Sequence, residues 1–161
     1  MSPQTKMGRF RSLVFVLTLP PMAFAFHCKK RDHFREIVTT EARIILAADG
    51  RSAAGYMTME NFTTGPDFLI GVECDFAKKI EFRETYVVDY EFKTRPLRRI
   101  VVPAGGRAKL EPEGLHLSLR ELIRRPRAGE SVKLVLNFQH CGKKKVAARV
   151  GTDLSVIYDN P

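Results

Sequence analysis

The sequence has few of the residues and motifs on which enzymes depend. It contains only four histidines and three cysteines in 161 residues, and no two cysteines are spaced as Cys-x-x-Cys. That absence excludes a thioredoxin-like redox motif. No Ser/His/Asp arrangement, pair of catalytic carboxylates or glycine-rich phosphate loop stands out either. We therefore predict a protein that is not an enzyme.

A membrane-spanning run is missing as well. The apolar stretch Leu13–Leu19 ends at Pro20-Pro21 and is well short of the roughly 20 residues that a spanning helix needs. Basic residues precede this stretch and Ala23-Phe24-Ala25 follows it, which is the order of a secretory signal peptide. We predict a signal peptide over residues 1–25, cleavage after Ala25, and a periplasmic protein. A lipoprotein anchored at Cys28 is the weaker alternative, because His27 stands where a lipoprotein signal has a small residue.

Positive charge exceeds negative charge, with a formal net charge of +9. Removing residues 1–25 takes away three positive charges and no negative ones, which leaves +6. Clustered arginines can bind an acidic protein partner or contact an anionic membrane surface, or they can form an ordinary solvated face. Nucleic-acid binding is not expected, because no motif of stacking aromatics accompanies the arginines. The clustered arginines are Arg95, Arg98, Arg99, Arg124, Arg125 and Arg127.

An odd number of cysteines follows the signal peptide, so at least one thiol has no partner within one chain. A disulfide, if one forms, is expected between Cys74 and Cys141, because both lie at the ends of predicted strands while Cys28 precedes the domain. Bridging requires that the two Cα atoms lie within about 7 Å of each other.

Short strands dominate the rest of the chain, with no sustained helical periodicity. In Ser131–Gln139 apolar and polar residues alternate, which is typical of a strand with one buried face, and Val146–Val150 repeats the pattern after a turn. These two strands should form an antiparallel hairpin. We predict an all-β, single antiparallel Greek-key barrel or sandwich over residues 42–150, with a lead-in at 26–41 and a tail at 151–161. The other predicted strands are Ala42–Ala47, Ala54–Phe62, Phe68–Cys74, Lys79–Thr85, Val87–Lys93, Arg99–Val102, Ala108–Glu111 and Leu115–Leu119.

Five fragments in this range resemble, in order, the periplasmic copper chaperone family PCu(A)C. They are Ala54–Asn61, Arg95–Leu97, Val102–Gly106, Glu113–Leu119 and Ala128–Leu134. The resemblance implies a cupredoxin-like fold and a protein that binds Cu(I) in the periplasm and delivers it to the dinuclear copper centre of cytochrome c oxidase. It also implies a protein partner, either the oxidase subunit that holds this centre or another copper chaperone.

The family holds Cu(I) with His, Met, His and Met, and this sequence departs from that set. At the matching spacing stand Arg83, Thr94, His116 and Ser118, with ten, twenty-one and one intervening residues. Thioethers and imidazoles suit Cu(I), whereas hydroxyl oxygens are poor donors for it. The guanidinium of Arg83 has no lone pair to offer and carries a fixed positive charge. His116 is the one expected ligand that remains.

Two other arrangements stay open. Imidazole and thiolate together are a good Cu(I) set, and two His-Cys dipeptides occur, with a further histidine near the first. Copper or zinc could bind the lead-in alone, with the barrel as a passive carrier, or the domain could be a metal-free interaction module whose arginines bind an acidic partner. The residues of the substitute metal site are His27, Cys28, His33, His140 and Cys141.

Overall fold

The computed structural model describes residues 36–152. The predicted signal peptide, most of the lead-in and the tail beyond Thr152 lie outside the described residues. Within that range the regular elements are ten strands, and no helix there could cross a membrane. The strands are β1 Ile37–Leu46, β2 Ser52–Asn61, β3 Asp67–Cys74, β4 Ala77–Val88, β5 Glu91–Leu97, β6 Ile100–Val102, β7 Arg107–Leu110, β8 Leu115–Leu122, β9 Ser131–Phe138 and β10 Gly142–Gly151.

The strands alternate between a buried and a more exposed face, as the sequence pattern predicts. In β9, Leu134 and Leu136 are fully buried, Val135 between them is half-buried, and Lys133 before them is exposed. In β8, Leu117 and Leu119 are fully buried, so His116 and Ser118 point to the opposite face. The core is therefore formed by the buried faces of the strands other than β5, which contributes only the half-buried Leu97. The functional candidates on β8 lie on the face away from the core.

All ten strands belong to one sheet that does not close on itself. The order is β5-β4-β8-β2-β1-β10-β9-β3-β6, with β7 paired to β2 at the side, so β5 and β6 are the edges. The predicted hairpin of β9 and β10 is confirmed, with Phe138 opposite Gly142. One pair departs from the antiparallel expectation, because the first and last strands, β1 and β10, run parallel. Strands that far apart in the chain are not joined by a tight turn, so the chain does not force them to run in opposite directions.

Two boundaries differ from the sequence prediction. β1 begins at Ile37, five residues before the predicted start of the domain at Ala42. The segment Val87–Lys93, predicted as a continuous strand, contains the end of β4, a turn and the start of β5 instead. Asp89 and Tyr90 have φ angles of 51° and 64°, which form a two-residue loop with positive φ at both positions. Such loops are usually marked by Asn or Gly, and Tyr90 gave no such signal.

Candidate functional site

The four spaced positions come together on one face of three neighbouring strands. Arg83 on β4 lies directly opposite His116 on β8, and Glu81 lies opposite Ser118. Thr94 on β5 lies opposite Thr85, which shares a face with Arg83 two residues away. Paired residues in antiparallel strands direct their side chains to the same face. The spacing in the sequence therefore corresponds to one surface patch, which we call the β4–β8 patch: Glu81, Arg83, Thr94, His116 and Ser118.

Glu81 organises the charge of this patch. Its carboxylate lies 3.3 Å from Nη1 of Arg83, 3.1 Å from Nζ of Lys79 and 3.9 Å from Nη2 of Arg120. The hydrogen bond from Lys79 is the largest cause of the lowered pKa of Glu81, and the charges of Lys79 and Arg120 and the bond from Arg83 act in the same direction. Three cations thus surround one carboxylate, and the patch together with Lys79 and Arg120 carries an excess of positive charge.

The side chains of His116 and Ser118 are also engaged. Nδ1 of His116 lies 3.1 Å from the carbonyl oxygen of Gly114, so an N–H at Nδ1 donates to that oxygen and leaves Nε2 as the lone-pair nitrogen. Nε of Arg120 donates to Oγ of Ser118 at 3.4 Å. The patch offers one soft donor, beside a guanidinium and two hydroxyls, so the residues present do not fit Cu(I). In the part of the chain that the structure describes, no three His, Cys, Asp or Glu side chains form a group that could hold a metal ion.

A second group of chemical residues surrounds the turn between β9 and β10. Asp67 is buried and accepts backbone N–H bonds from Phe68 at 2.7 Å, His140 at 2.9 Å and Cys141 at 2.8 Å. Burial alone would raise the pKa of Asp67, but these backbone bonds outweigh burial and hold the pKa below its usual value. Sequence reasoning missed Asp67, although its place after Gly65-Pro66 at a strand start is a turn signal.

The side chains of this second group border an open groove of about 600 Å³. His140 and Cys141 lie there together, as neighbours in sequence must, and the His140 ring lies 6.3 Å from the ring of Phe68. The other residues of the predicted substitute metal site, His27, Cys28 and His33, lie outside the described residues. That site stays a prediction.

The expected disulfide between Cys74 and Cys141 is not compatible with this arrangement. Both thiols are free. Cys141 lies beside Asp67 at the start of β3, whereas Cys74 is the last residue of the same strand, roughly 23 Å away at about 3.3 Å per residue. Both cysteines do lie at strand ends, but at opposite ends of the sheet. Burial raises the pKa of both thiols.

The six clustered arginines likewise form two groups and not one surface. Arg99 covers the ring of Phe68 at the start of β3, at 4.0 Å, and Arg95 pairs with Glu84 on the neighbouring strand. At the other end of β3, Arg124 is held by Glu130 at 2.7 Å and Asp75 at 3.4 Å. Its charge is therefore compensated within the domain. Arg98 and Arg127 are exposed, and the Arg125 guanidinium lies against Gly50.

Comparison with known proteins supports the observed fold. The LpqE-like family model, which describes lipoproteins, matches residues 37–150. No curated protein sequence matches. The copper-bound PCuAC domain from PmoF2 is 22% identical, with a TM-score of 0.62 over 73% of this chain and 93% of that one. The solution structure of CuI-DR1885 from Deinococcus radiodurans is 26% identical, with a TM-score of 0.57 over 73% of this chain and 78% of that one. The protein therefore belongs to the LpqE-like family and has the all-β, cupredoxin-like fold of PCuAC copper-chaperone domains.

Proposed function

We propose that this protein is an exported member of the copper-chaperone family that acts in the copper supply of the bacterial envelope by binding a protein partner, and that it does not hold Cu(I) tightly at the β4–β8 patch. The partner implied by the family resemblance is the copper-centre subunit of cytochrome c oxidase or another copper chaperone. The observation that carries the proposal is the pairing of Arg83 with His116 across two adjacent strands.

Charge and donor type both oppose copper at this position. Two unit positive charges about 4 Å apart near a protein surface repel each other by roughly 4 kcal/mol. The Arg83 guanidinium is held on the patch by Glu81, with only 22% of its side chain exposed, so it is not free to swing away at no cost. Among the matching positions only His116 supplies a lone pair that suits Cu(I). A guanidinium held by Glu81 therefore stands where the family resemblance implies a copper ligand.

Competition against a Cu(I) chelator under anaerobic conditions tests the proposal. The unmodified protein should take no copper from the chelator, and the triple variant Arg83→His, Thr94→Met, Ser118→Met should bind at least about 1,000-fold more tightly, because it has four soft donors and one fixed charge fewer. The matched control carries the same three changes with His116→Ala and should lose most of that gain. Tight binding of one Cu(I) by the unmodified protein, abolished by His116→Ala, would contradict the proposal.

Export is part of the same proposal. The order of charges and apolar residues in segment 1–25 supports it, as does the match to a family described as lipoproteins. The intact mass of the protein recovered from a bacterial periplasm should correspond to a chain that begins at Phe26. A mass that includes residues 1–25 would contradict cleavage, and a lipid-modified chain that begins at Cys28 would show the lipoprotein alternative.

A second candidate function is a metal-free interaction module that binds an acidic partner outside copper supply. Arg98 and Arg99, both exposed and the second lying over the ring of Phe68, favour it, whereas the compensated Arg124 does not. Binding through exposed arginines should weaken as salt rises, because such charges are screened over about 8–10 Å near physiological ionic strength. Arg98→Ala with Arg99→Ala should reduce the association rate. Arg124→Ala is the control and should leave that rate unchanged.

A further inference from the structure

The hairpin of β4 and β5 extends beyond the rest of the sheet. The pairing of β4 with β8 ends at Glu84 opposite Leu115, whereas the pairing of β4 with β5 continues to Val88 opposite Glu91. Beyond that point each hairpin strand is paired only with the other. The result is an exposed apolar tip, in which Tyr90 is fully exposed and Phe92 is 65% exposed. An exposed apolar cluster of this kind is typical of an interaction site.

The free edge of β5 offers unpaired backbone groups. A two-residue hairpin loop closes on a hydrogen-bonded pair, here Val88 with Glu91, and hydrogen-bonded and non-hydrogen-bonded pairs then alternate. Thr85 and Thr94 form a pair of the second kind, and the Thr85 N–H accordingly donates to Gly114, on the β8 side, at 2.9 Å. The N–H and C=O groups of Phe92 and Thr94 therefore point away from the sheet.

Side chains along this edge alternate in chemistry. Phe92 and Thr94 share one face, with Val87 beside Phe92, and this face continues into the β4–β8 patch. Lys93 and Arg95 lie on the other face. Arg95 forms an ion pair with Glu84 at 2.6 Å, whereas Lys93 forms no ion pair within residues 36–152. Pro96 has no N–H, so hydrogen bonding by an added strand weakens at that residue.

We propose that β5 is a docking strand, to which an extended, acidic segment of a partner protein adds as an antiparallel strand. This inference rests on the proposed function, which requires a protein partner. Main-chain hydrogen bonds to Phe92 and Thr94 hold the segment, and its alternate side chains provide specificity. Carboxylates fit opposite Lys93 and Arg95, and apolar or β-branched side chains fit opposite Phe92 and Thr94.

The charges of the hairpin favour this occupant over two others, a second copy of the protein and an anionic membrane. In a second copy paired about Thr94, the register that uses the most of β5, Lys93 would face Arg95 of the other copy twice, and like charges in facing positions are destabilising. An anionic membrane would meet Asp89 and Glu91, both exposed at the hairpin tip, before any cation of the hairpin. An acidic segment that places its carboxylates opposite Lys93 and Arg95, and an uncharged residue opposite Glu91, meets neither repulsion along the edge.

The test uses the mature protein, labelled for NMR, and two nine-residue peptides. One peptide alternates Val or Thr with Glu, with Thr at the position that faces Glu91, and the other has Lys at every Glu position. The Glu peptide should shift the resonances of residues 91–97 and slow amide exchange at Phe92 and Thr94, and the Lys peptide should bind at least about tenfold more weakly. Thr94→Pro removes one outward N–H and should weaken binding at least tenfold. Thr94→Val keeps that N–H and should bind as the unmodified protein does.

The charge contribution has its own matched pair. Lys93→Glu should weaken binding of the Glu peptide about tenfold, while Lys133→Glu, an exposed change on the distant β9, should change it less than twofold. Equal binding by the Thr94→Pro and Thr94→Val variants, when both retain the unmodified melting temperature, overturns the inference. Dimerisation of the protein alone through residues 91–97, or binding of these residues to anionic vesicles in preference to the Glu peptide, overturns it as well.

Failure of this inference can be told apart from failure of the proposed function. Peptide binding at β5 together with a tight Cu(I) site would contradict the proposed function while leaving the docking strand in place. Absence of peptide binding together with weak copper binding would remove the docking strand alone.

Discussion

Two hairpins of this sheet have turns of similar length and very different support. The turn between β9 and β10 is bound to the buried carboxylate of Asp67 through the backbone N–H groups of His140 and Cys141. The turn between β4 and β5 consists of Asp89 and Tyr90, both exposed and both at positive φ, with no side-chain hydrogen bond to the described residues. The first turn is fixed by a buried charge, and the second depends on its own backbone geometry.

The difference shows where the molecule can change. A buried carboxylate that satisfies three N–H groups cannot be removed without leaving those donors unpaired. From Arg83 to Leu97 the positions of the β4–β5 hairpin are half-buried or exposed, so substitutions there cost little stability. Arg83 and Thr94, two of the four positions compared with the family's copper ligands in the sequence, lie on this hairpin, in the less constrained of the two regions.

Asp67→Ala should have the largest effect on stability. It leaves the N–H groups of Phe68, His140 and Cys141 without their acceptor, and the expected loss is about 2–4 kcal/mol in the free energy of unfolding. Urea unfolding measures it. Asp89→Ala, the corresponding change in the other hairpin, is the control and should cost no more than about 1 kcal/mol, because it only replaces Asp by the less favourable Ala at positive φ. Equal losses in the two variants would show that the turns are supported alike.

Lowering the pH should weaken the turn between β9 and β10, which is bound to Asp67, more than the turn between β4 and β5. The loss of stability should be smaller than that of Asp67→Ala. The folded-state pKa of Asp67 is lowered, so its contribution is fully present above the unfolded-state value of about 3.9 and is lost as the pH falls through the lowered pKa. The unmodified protein should therefore lose more stability on acidification through this range than Asp67→Asn does, measured as melting temperature against pH. Parallel curves would contradict the role of the carboxylate charge.

Tyr90→Gly should have the smallest effect and the opposite sign. Glycine accepts the positive φ without strain, and the fully exposed Tyr90 side chain loses no packing when it is removed, so stability should rise by up to about 1 kcal/mol. Tyr90→Ala is the control, because it removes the ring and keeps the strain. A loss of stability in the glycine variant would show that the ring contributes to the folded hairpin.

The sequence predicted the fold class and the shared face of His116 and Ser118 for one reason: both follow from the period of two along a strand. His116 and Ser118 must share a face, and the leucines around them must take the other. The same period favours Glu81 over Glu84 as the partner of Arg83, because Glu81 shares its face on β4. The pairing of Arg95 with Glu84 could not be predicted in this way, because it depends on the register of β4 with β5.

The missed features depend on contacts between residues far apart in the chain. Asp67 reaches a turn more than seventy residues later, at His140 and Cys141, and no local pattern encodes that pairing. The wrong disulfide has the same origin, because a strand end identified in the sequence does not say at which end of the sheet it lies. The exposed turn at Asp89 and Tyr90 was missed because Tyr90 stands where such a turn usually has glycine.

The parallel pairing of β1 with β10 also determines how the domain carries a mechanical load. Arg43 lies opposite Arg149 and Ile45 opposite Gly151, so the chain enters β1 at one end of the pair and leaves β10 at the other. Tension between these two ends pulls the strands along each other, and the hydrogen bonds between them share the force. A hairpin pulled from its open end would instead lose its bonds one after another. The domain is thus built to stay folded when one end is fixed and the other is drawn away by a bound partner.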